Sequence, residues 1–425
     1  DLLDAIVTAN SSITAVGSGD ASAYSLMDSR QAALDELSKE AGITVMEKGG
    51  LVRVYFDQSL AVGETMAMRL ATVAGAEDTP VWESSGFAAN LSSGRLAGLV
   101  ELARNTLPSY LDSLDQLAST LIYEVNKIHA EGVGLSGSFE SVQALNAVSD
   151  PSGVTDGSTL ALDSAGLAFT PQSGDLYINI THTATKTTST STIALDVTTM
   201  SLDDLAQAIS ALAGVNATIS SGRLTVTAET GYVFDFAASQ GTNVLACLGV
   251  NGLFSGSNAR DIALSSAVEA DPNLVAAART PYTGDGANAT RLASLQTSKV
   301  LASGSATVQG FWQSLVTEIG GDLQRVQAQE ETQSTLVAAL NERLQQLGAR
   351  PQHRERLLRH WLQALPLDHG RRPLQGFLPK ALYEALPALL CDWQAGLTLH
   401  TREPADDGSE RLHWLLHDGQ SVESV

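Results

Sequence analysis

Apolar residues recur at three- and four-residue steps in two long stretches: Leu107, Leu111, Leu114, Ala118, Leu121, Val125 and Ile128 in one, and Val308, Trp312, Leu315, Ile319, Leu323 and Val326, then Leu336, Val337, Leu340 and Leu344, in the other. That spacing lines one face of an α-helix. It predicts a long amphipathic helix over 97–131, entered or kinked near Pro108, which cannot extend the backbone ladder, and a second over 304–346. A helix of about 40 residues is roughly 60 Å long, and such a rod needs a partner rod. A shorter helix is predicted over 21–41 from Leu26, Met27, Ala33, Leu34 and Leu37, with Gly42 as its C-cap. The pattern then changes to period two in "ITVMEKGGLVRVYFDQSLAVG", which reads as a hairpin around Lys48-Gly49-Gly50.

Between the two long helices the chain is rich in Thr, Ser and β-branched residues. "DLYINITH", "TSTIALDVT", "VNATISS", "RLTVTAET" and "YVFDFAA" alternate as half-buried strands, and "SLDDLAQAISALAG" interrupts them as a helix. Ser201 is its expected N-cap, Asp203 and Asp204 occupy the favourable first turn, and Gly214 ends it. The order ββαββ describes a small domain over 150–250, inserted into a stem made of residues 1–149 and 251–345.

Composition shifts after Gln346. Residues 346–425 hold nine of the 25 Lys and Arg, six of the eight His, three of the five Trp and six of the twelve Pro. "PQHRERLLRHWLQAL" and "GFLPKALYEALPALLCDW" read as short helices, and "LTLHTREPADDGSERLHWLLH" as a hairpin turning at Asp406-Asp407-Gly408. The fold class expected for the whole chain is α+β multidomain: a long-helix stem with small β-elements, the inserted ββαββ domain, and a separate small α+β module over 346–420.

The formal charge of −22 argues against nucleic-acid and anionic-membrane partners, because phosphate binding relies on clustered Lys and Arg. No apolar run reaches the roughly 18 residues of a membrane span, and "DLLDAIVTAN" lacks the basic start of a signal peptide. Two cysteines, Cys247 and Cys391, exclude a disulfide framework or zinc ribbon by count. GxGxxG, P-loop, GxSxG, CxxC and HExxH motifs are absent. His413 and His417 have the spacing of a helical zinc pair, but in a strand they lie about 13 Å apart. No catalytic, cofactor or metal residue is assigned.

A family resemblance appears in "SSGRLAGLVELARNTLPSYLDSLDQLASTLIYEVNKIHAEG", residues 92–132. It resembles the signature of the flagellar hook-associated protein 1 family (FlgK), which joins hook to filament: a Gly-Gly-x-Leu-x-Gly-Leu turn, an Arg-containing helix, a Leu-Asp-x-Leu-Ala core and a Val-Asn-x-x-His-x-x-Gly ending. The matching positions include Gly94, Leu96, Gly98, Leu99, Arg104, Leu114, Asp115, Leu117, Ala118, Val125, Asn126, His129 and Gly132. "SLMDSRQAALDELSKEAGITV" is similar to the family's Asp-x-Arg helix. "LFSGSNARDIALSSAVEADPNLVAAA" is similar to its later segment, with Asp261, Ile262, Asp271, Pro272 and Ala276–Ala278 in place, and "GDGANATRLASLQ" fits the loop and helix that follow. The resemblance covers about residues 15–345.

It implies a structural axial protein without enzymatic activity, cofactor or metal. It would be exported by the flagellar type III system to the extracellular flagellum. The implied partners are hook protein, the second hook-associated junction protein, further copies in a ring, and an export chaperone whose binding region is missing here. The family's N-terminal segment and C-terminal continuation are also missing, so the sequence reads as a portion of the exposed part. Residues 346–420 then read as an insertion or fusion, and 421–425 as a stub of the family's continuing helix.

Several side chains keep two readings. Asp28, Arg30, Arg104 and Asp115 are ring-interface charges or weak surface ion pairs. His129 caps a helix end by its charge against the dipole, and Asp271 with Pro272 starts a short helix. The basic run Arg350, Arg354, Arg356, Arg359 and His360 is a solvated face or a site for an acidic partner. Two alternatives remain open: an adhesin-like surface module in the β-rich domain, and an enzymatic or metal-binding activity around His353, His360, His413 and His417.

Overall fold

A computed structural model describes residues 1–17, 22–48, 50–74, 76–282, 284–350, 353, 354, 357, 374–395, 398–404, 410–415 and 421–424. The chain divides into two compact units, 1–108 with 320–425, and 109–319.

The first unit opens with a helix not anticipated above, α1 (Leu2–Val16), whose Ile6, Ala9, Asn10 and Ile13 are buried. Helix α2 (Ala23–Glu40) buries Arg30, Leu34 and Leu37. The predicted hairpin is there as β1 (Thr44–Lys48) and β2 (Leu51–Phe56), and β3 (Ser59–Val62) extends it to a three-stranded antiparallel sheet. Strands β4 (Leu70–Val73) and β5 (Ala76–Trp82) form a second hairpin. Ile6, Leu34, Leu37, Val52, Val54 and Phe56 share one core with Trp82. The Phe56 and Trp82 rings stack at 5.6 Å.

The first predicted long helix is interrupted. Helix α3 (Arg95–Glu101) runs into a π-helical turn, Leu102–Thr106, and continues as α4 (Leu107–His129). The N–H of Leu107 reaches back to Leu102 O. Pro108 explains the position, because it has no N–H to give the carbonyl four residues earlier, and a π turn absorbs the mismatch.

In the second unit the inserted domain is larger than 150–250. Its single core includes Ala130, Val133, Phe139, Ala144 and Val148, all upstream of the expected start. Strands β7 (Gly174–His182), β8 (Thr187–Leu195) and β11 (Tyr232–Phe236) form one antiparallel sheet in the order β11-β7-β8. Strands β6 (Ser141–Gln143), β9 (Val215–Ser220) and β10 (Arg223–Ala228) form another in the order β6-β10-β9. With β6 recruited from upstream of the expected boundary, the order is βββαβββ. Helix α5 (Leu202–Ser210) buries Leu202, Leu205, Ala206 and Ile209. It begins with the expected Ser201 cap, which takes the N–H of Asp204 at 3.1 Å while its own N–H donates to the Asp204 carboxylate at 3.0 Å. After it come α6 (Val244–Leu248), the short pair β12 (Phe254–Ser255) and β13 (Ala263–Leu264), α7 (Ser266–Ala270), a 3-10 turn at Pro272–Leu274, and α8 (Ala287–Ser294).

The second long helix is α9 (Val308–Gln346). Leu315 on it is buried, whereas Trp312, Val316, Ile319, Leu323 and Val326 are exposed. Its last turns join a third core, in which Leu340 and Leu344 pack with Ala349, Leu357, Leu378, Leu382, Leu386 and Leu389. Helix α11 (Lys380–Ala395) supplies the last three of these, and Leu378 lies between it and the short helix α10 (Leu374–Phe377). The C-terminal module therefore starts within α9, near Leu340, and not at residue 346.

Strands β14 (Thr398–Pro404), β15 (Glu410–Leu415) and β16 (Ser421–Ser424) form a meander. The expected hairpin is its first half, and the expected turn at 406–408 lies outside the described residues. Ser421–Ser424 corrects the helical-stub expectation: it pairs antiparallel with Leu412–Leu415, because its backbone completes a sheet edge that a helix would leave open.

Candidate functional site: a polar knot at the end of α4

The resemblance motifs converge where α4 ends. Asn126 and His129, one turn apart, face the same way and are both buried. Asn126 Oδ1 accepts the N–H groups of Leu253 and Phe254 at 2.9 and 3.0 Å, and its Nδ2 donates to Phe254 O at 2.8 Å. One amide side chain thus extends the backbone bonding of β12. Its smallest competitor for the job, Ala, would orphan three backbone groups.

His129 bridges two other segments. Its Nδ1 is 2.7 Å from Asn251 O, and its Nε2 accepts the Ala276 N–H at 2.9 Å. Those bonds require a neutral ring with the proton on Nδ1. Burial lowers its pKa, opposed by the bond to Asn251. The charge–dipole reading is therefore corrected: His129 works as a neutral connector, with both nitrogens occupied and neither left for a metal. Asn251, in the left-handed region at φ 50°, returns two bonds of 3.0 Å to the carbonyls of His129 and Gly132.

The third strap is Asn288, fully buried, whose Nδ2 donates to Ile128 O at 3.1 Å and Ala276 O at 2.7 Å. Gly132 is needed beside it, since a Cβ there would lie 2.3 Å from Asn288 Nδ2. Glu131 closes the knot, with Oε2 at 3.0 Å from Arg291 and Oε1 accepting the Ser239 N–H at 2.9 Å. Asn288 lies in the "GDGANATRLASLQ" segment that the resemblance covers, whereas Asn251, Glu131 and Arg291 were missed from sequence, since "GVNG" carries no spacing signal.

The acidic motif residues tie loops. Asp115 accepts the Ala259 N–H at 2.9 Å. Asp261 accepts from Ser257 and Asn258 N–H at 2.7 and 2.8 Å, which lowers its pKa. Asp271 caps the 3-10 turn through the Asn273 N–H at 3.0 Å, with Pro272 in its first turn as expected. Val125 is buried, and Leu114 and Leu117 are half-buried on α4.

The glycines of the first motif differ. Gly94, at φ 89°, has Ala41 Cα where a Cβ would lie 2.6 Å away, so the turn docks backbone to backbone against the end of α2. Gly98 has nothing within 4 Å. Leu96 is half-buried, Leu99 is exposed, and Arg104 lies 3.9 Å from Asp78 on the surface.

Arg30 corrects the other charge reading. Only 4% exposed, it donates to Asn10 Oδ1 at 2.9 Å and Gly50 O at 2.8 Å, and pairs with Glu47 at 3.4 Å. Asn10 in turn bonds both the C=O and N–H of Val52, at 2.7 and 3.2 Å. Arg30 therefore fastens α2 to α1 and the first sheet. Cys247 is buried, which pushes its thiol up to about 12 and makes it inert. Among the described residues no group of His, Cys, Asp and Glu could hold a metal, and no helix is long and apolar enough to cross a membrane. Of the alternative histidines, His353 is buried against Phe377 with ring centroids 5.0 Å apart. The side chain of His413, like His360, His417, Arg356 and Arg359, lies outside the described residues, as does that of Cys391.

The family model described as the flagellar hook-associated protein FlgK helical domain matches residues 1–142. That match covers a third of the chain and includes the end of α4. The likeness thus begins at residue 1, with α1, and not near residue 15. A solved structure, the flagellar hook junction protein FlgK from Burkholderia pseudomallei, is 16% identical over 81% of each chain, with a TM-score of 0.42.

A different similarity accompanies it. A probable RNA methyltransferase of Azoarcus sp. (strain BH72) is 48% identical over 86 residues, 20% of this chain and 25% of that protein. Those of Leptothrix cholodnii and Stutzerimonas stutzeri are 46% and 50% identical over the same length. The chain spans about a quarter of the length of these relatives.

Proposed function

We propose that this chain is a junction component of the bacterial flagellum that links hook to filament by subunit packing. The FlgK helical domain over residues 1–142 carries the reading. The exposed stripe on α9 supports it, because Trp312, Val316, Ile319, Leu323 and Val326 alternate at the four- and three-residue steps of a coiled-coil seam. The knot around His129 supports it too, since the buried side chains of Asn126, His129 and Asn288 are spent on holding segments together. On this reading the protein is exported to the extracellular flagellum, its partners are hook protein, the next junction protein and further copies, and it catalyses nothing. Incubating the full chain with isolated hook polymers and imaging gold-labelled protein tests it. Label confined to one polymer end is expected; label that is absent or scattered along the polymer overturns it.

A second reading concerns the C-terminal module. We infer that residues 340–425 are the segment shared with the probable RNA methyltransferases. They begin where the third core begins, and they number 86, the length of the match. Their charge differs from the rest: ten Lys and Arg against eleven Asp and Glu, in a chain of net −22. The argument from net charge against nucleic acid therefore does not extend to this module. On this reading it contacts RNA, and any methyl transfer would need the remaining three quarters of those proteins. Fluorescence anisotropy of a structured RNA with the full chain, and with a chain ending at Ala339, decides it: salt-sensitive binding by the first alone is expected, and equal or absent binding counts against it.

A further inference from the structure

The C-terminal module divides its charge. Residues 343–372 carry seven Arg, no Lys and two acidic residues, Glu355 and Asp368. Residues 373–425 carry three basic residues against eight acidic ones. The near-neutral balance of the module thus combines a basic half with an acidic half, and attraction of a polyanion belongs to the first.

In the basic half two guanidinium-bearing residues are set side by side. The Arg354 N–H donates to Arg350 O at 3.1 Å, so the two stand one helical turn apart on a shared face. His353 fixes that turn: its Nδ1 accepts the Arg350 N–H at 3.1 Å, and its buried ring packs edge-on against Phe377. Burial first, and the charge of Arg350 second, hold His353 below its ordinary pKa, so it anchors the turn as a neutral ring.

Elsewhere the guanidinium groups are neutralised within the chain: Arg30, Arg53, Arg69, Arg95 and Arg291 each lie within 3.4 Å of a carboxylate. Arg350, which is exposed, and Arg354, which is half-buried, have no carboxylate partner among the described residues. Arg354 Nε and Ser265 Oγ are the two buried polar side-chain atoms among the described residues that no hydrogen bond satisfies. A buried donor left unpaired is destabilising, the more so on a cation. Arg354 therefore calls for an acceptor from outside the chain.

We propose that Arg350 and Arg354 form a phosphate-binding pair through which the basic half of the module holds RNA. The inference rests on the RNA reading of the module and names the residues that serve it. The planar fork of Arg takes two oxygens of one phosphate at once, which Lys cannot do. The similarity to probable RNA methyltransferases favours the phosphates of RNA over the carboxylates of an acidic protein. Contacts of this kind fix the position of the nucleic-acid backbone and read no bases.

Fluorescence anisotropy of a stem-loop RNA with the full chain compares two double variants of equal charge: Arg350→Gln with Arg354→Gln, and Arg402→Gln with Arg411→Gln in the acidic half. The first is expected to lower the slope of log affinity against log salt by about 1.4–1.8, the change for two lost phosphate contacts, and to do so equally for RNAs of different sequence. The second is expected to keep the wild-type slope. Arg350→Lys with Arg354→Lys keeps both charges and is expected to restore most of the slope; a slope that stays low marks a packing role and overturns the proposal. Equal slopes for the two Gln variants, with the wild type still binding, overturn the pair and leave the RNA reading standing. A wild-type chain that binds no RNA overturns both. Polyglutamate that binds as tightly as RNA assigns the pair to an acidic protein partner and overturns the proposal as well.

Discussion

The N–H of Ala276 donates to Nε2 of His129 at 2.9 Å, joining residues 147 apart in the chain. That bond exists only while the imidazole is neutral, since a protonated Nε2 would set one donor against another.

Stability should therefore fall on mild acidification. In the unfolded chain His129 titrates at about 6.5, and burial holds the folded value lower. Above pH ~6.5 neither state takes the proton and the knot's contribution is complete. Below it the unfolded chain binds the proton first, and stability is lost until the pH passes the folded value. Urea unfolding from pH 8 to 5 should show this slope in the wild type and less of it in His129→Gln. Parallel slopes would remove His129 from the account.

Gly94→Ala and Gly98→Ala should separate fold from assembly. The first forces a Cβ to 2.6 Å from Ala41 Cα at φ 89°, and should cost more than ~2 kcal/mol. The second meets open space within a helix, and should stabilise by about 0.5–1 kcal/mol. If Gly98→Ala folds well but fails to bind hook polymers, its small size serves an intermolecular contact.

Arg30→Ala should cost about 3 kcal/mol, because Asn10 and Glu47 lose a buried cationic partner. Loss should be seen in denaturation of the isolated chain. A change confined to assembly, with unfolding unaffected, would restore Arg30 to the surface role first considered.

The module boundary makes its own prediction. A fragment of residues 340–425 should unfold cooperatively, and one of 347–425 should not, because Leu340 and Leu344 belong to its core. Leu344→Ala, at a fully buried position, should cost about 2–5 kcal/mol. Equal unfolding of the two fragments would return the boundary to residue 346.

Local pattern sufficed for helices α2, α4, α5 and α9, the β1-β2 hairpin, the Ser201 cap and the Asp271-Pro272 turn. Each depends on side-chain periodicity or on a donor and acceptor within four residues, so neighbours in sequence are also neighbours in space. Helix α1 obeys the same spacing, with Ile6, Ala9 and Ile13 on its buried face. The motif positions Asn126, His129 and Ala276 were visible, but the pairing of Asn126 with residue 254 and of His129 with residues 251 and 276 was not.

What the sequence by itself determined was the kind of element, the change of character near residue 346, and the FlgK likeness later matched over 1–142. Tertiary structure decided the limits and the roles. It moved the β-rich domain upstream to Ala130 and the last module to Leu340, because a core recruits apolar residues by proximity and ignores composition. It turned 421–424 into a strand, because an open sheet edge offers hydrogen bonds that no residue of that segment encodes alone. It buried Arg30 and neutralised His129, because the desolvation that sets their chemistry comes from segments tens to more than a hundred residues away.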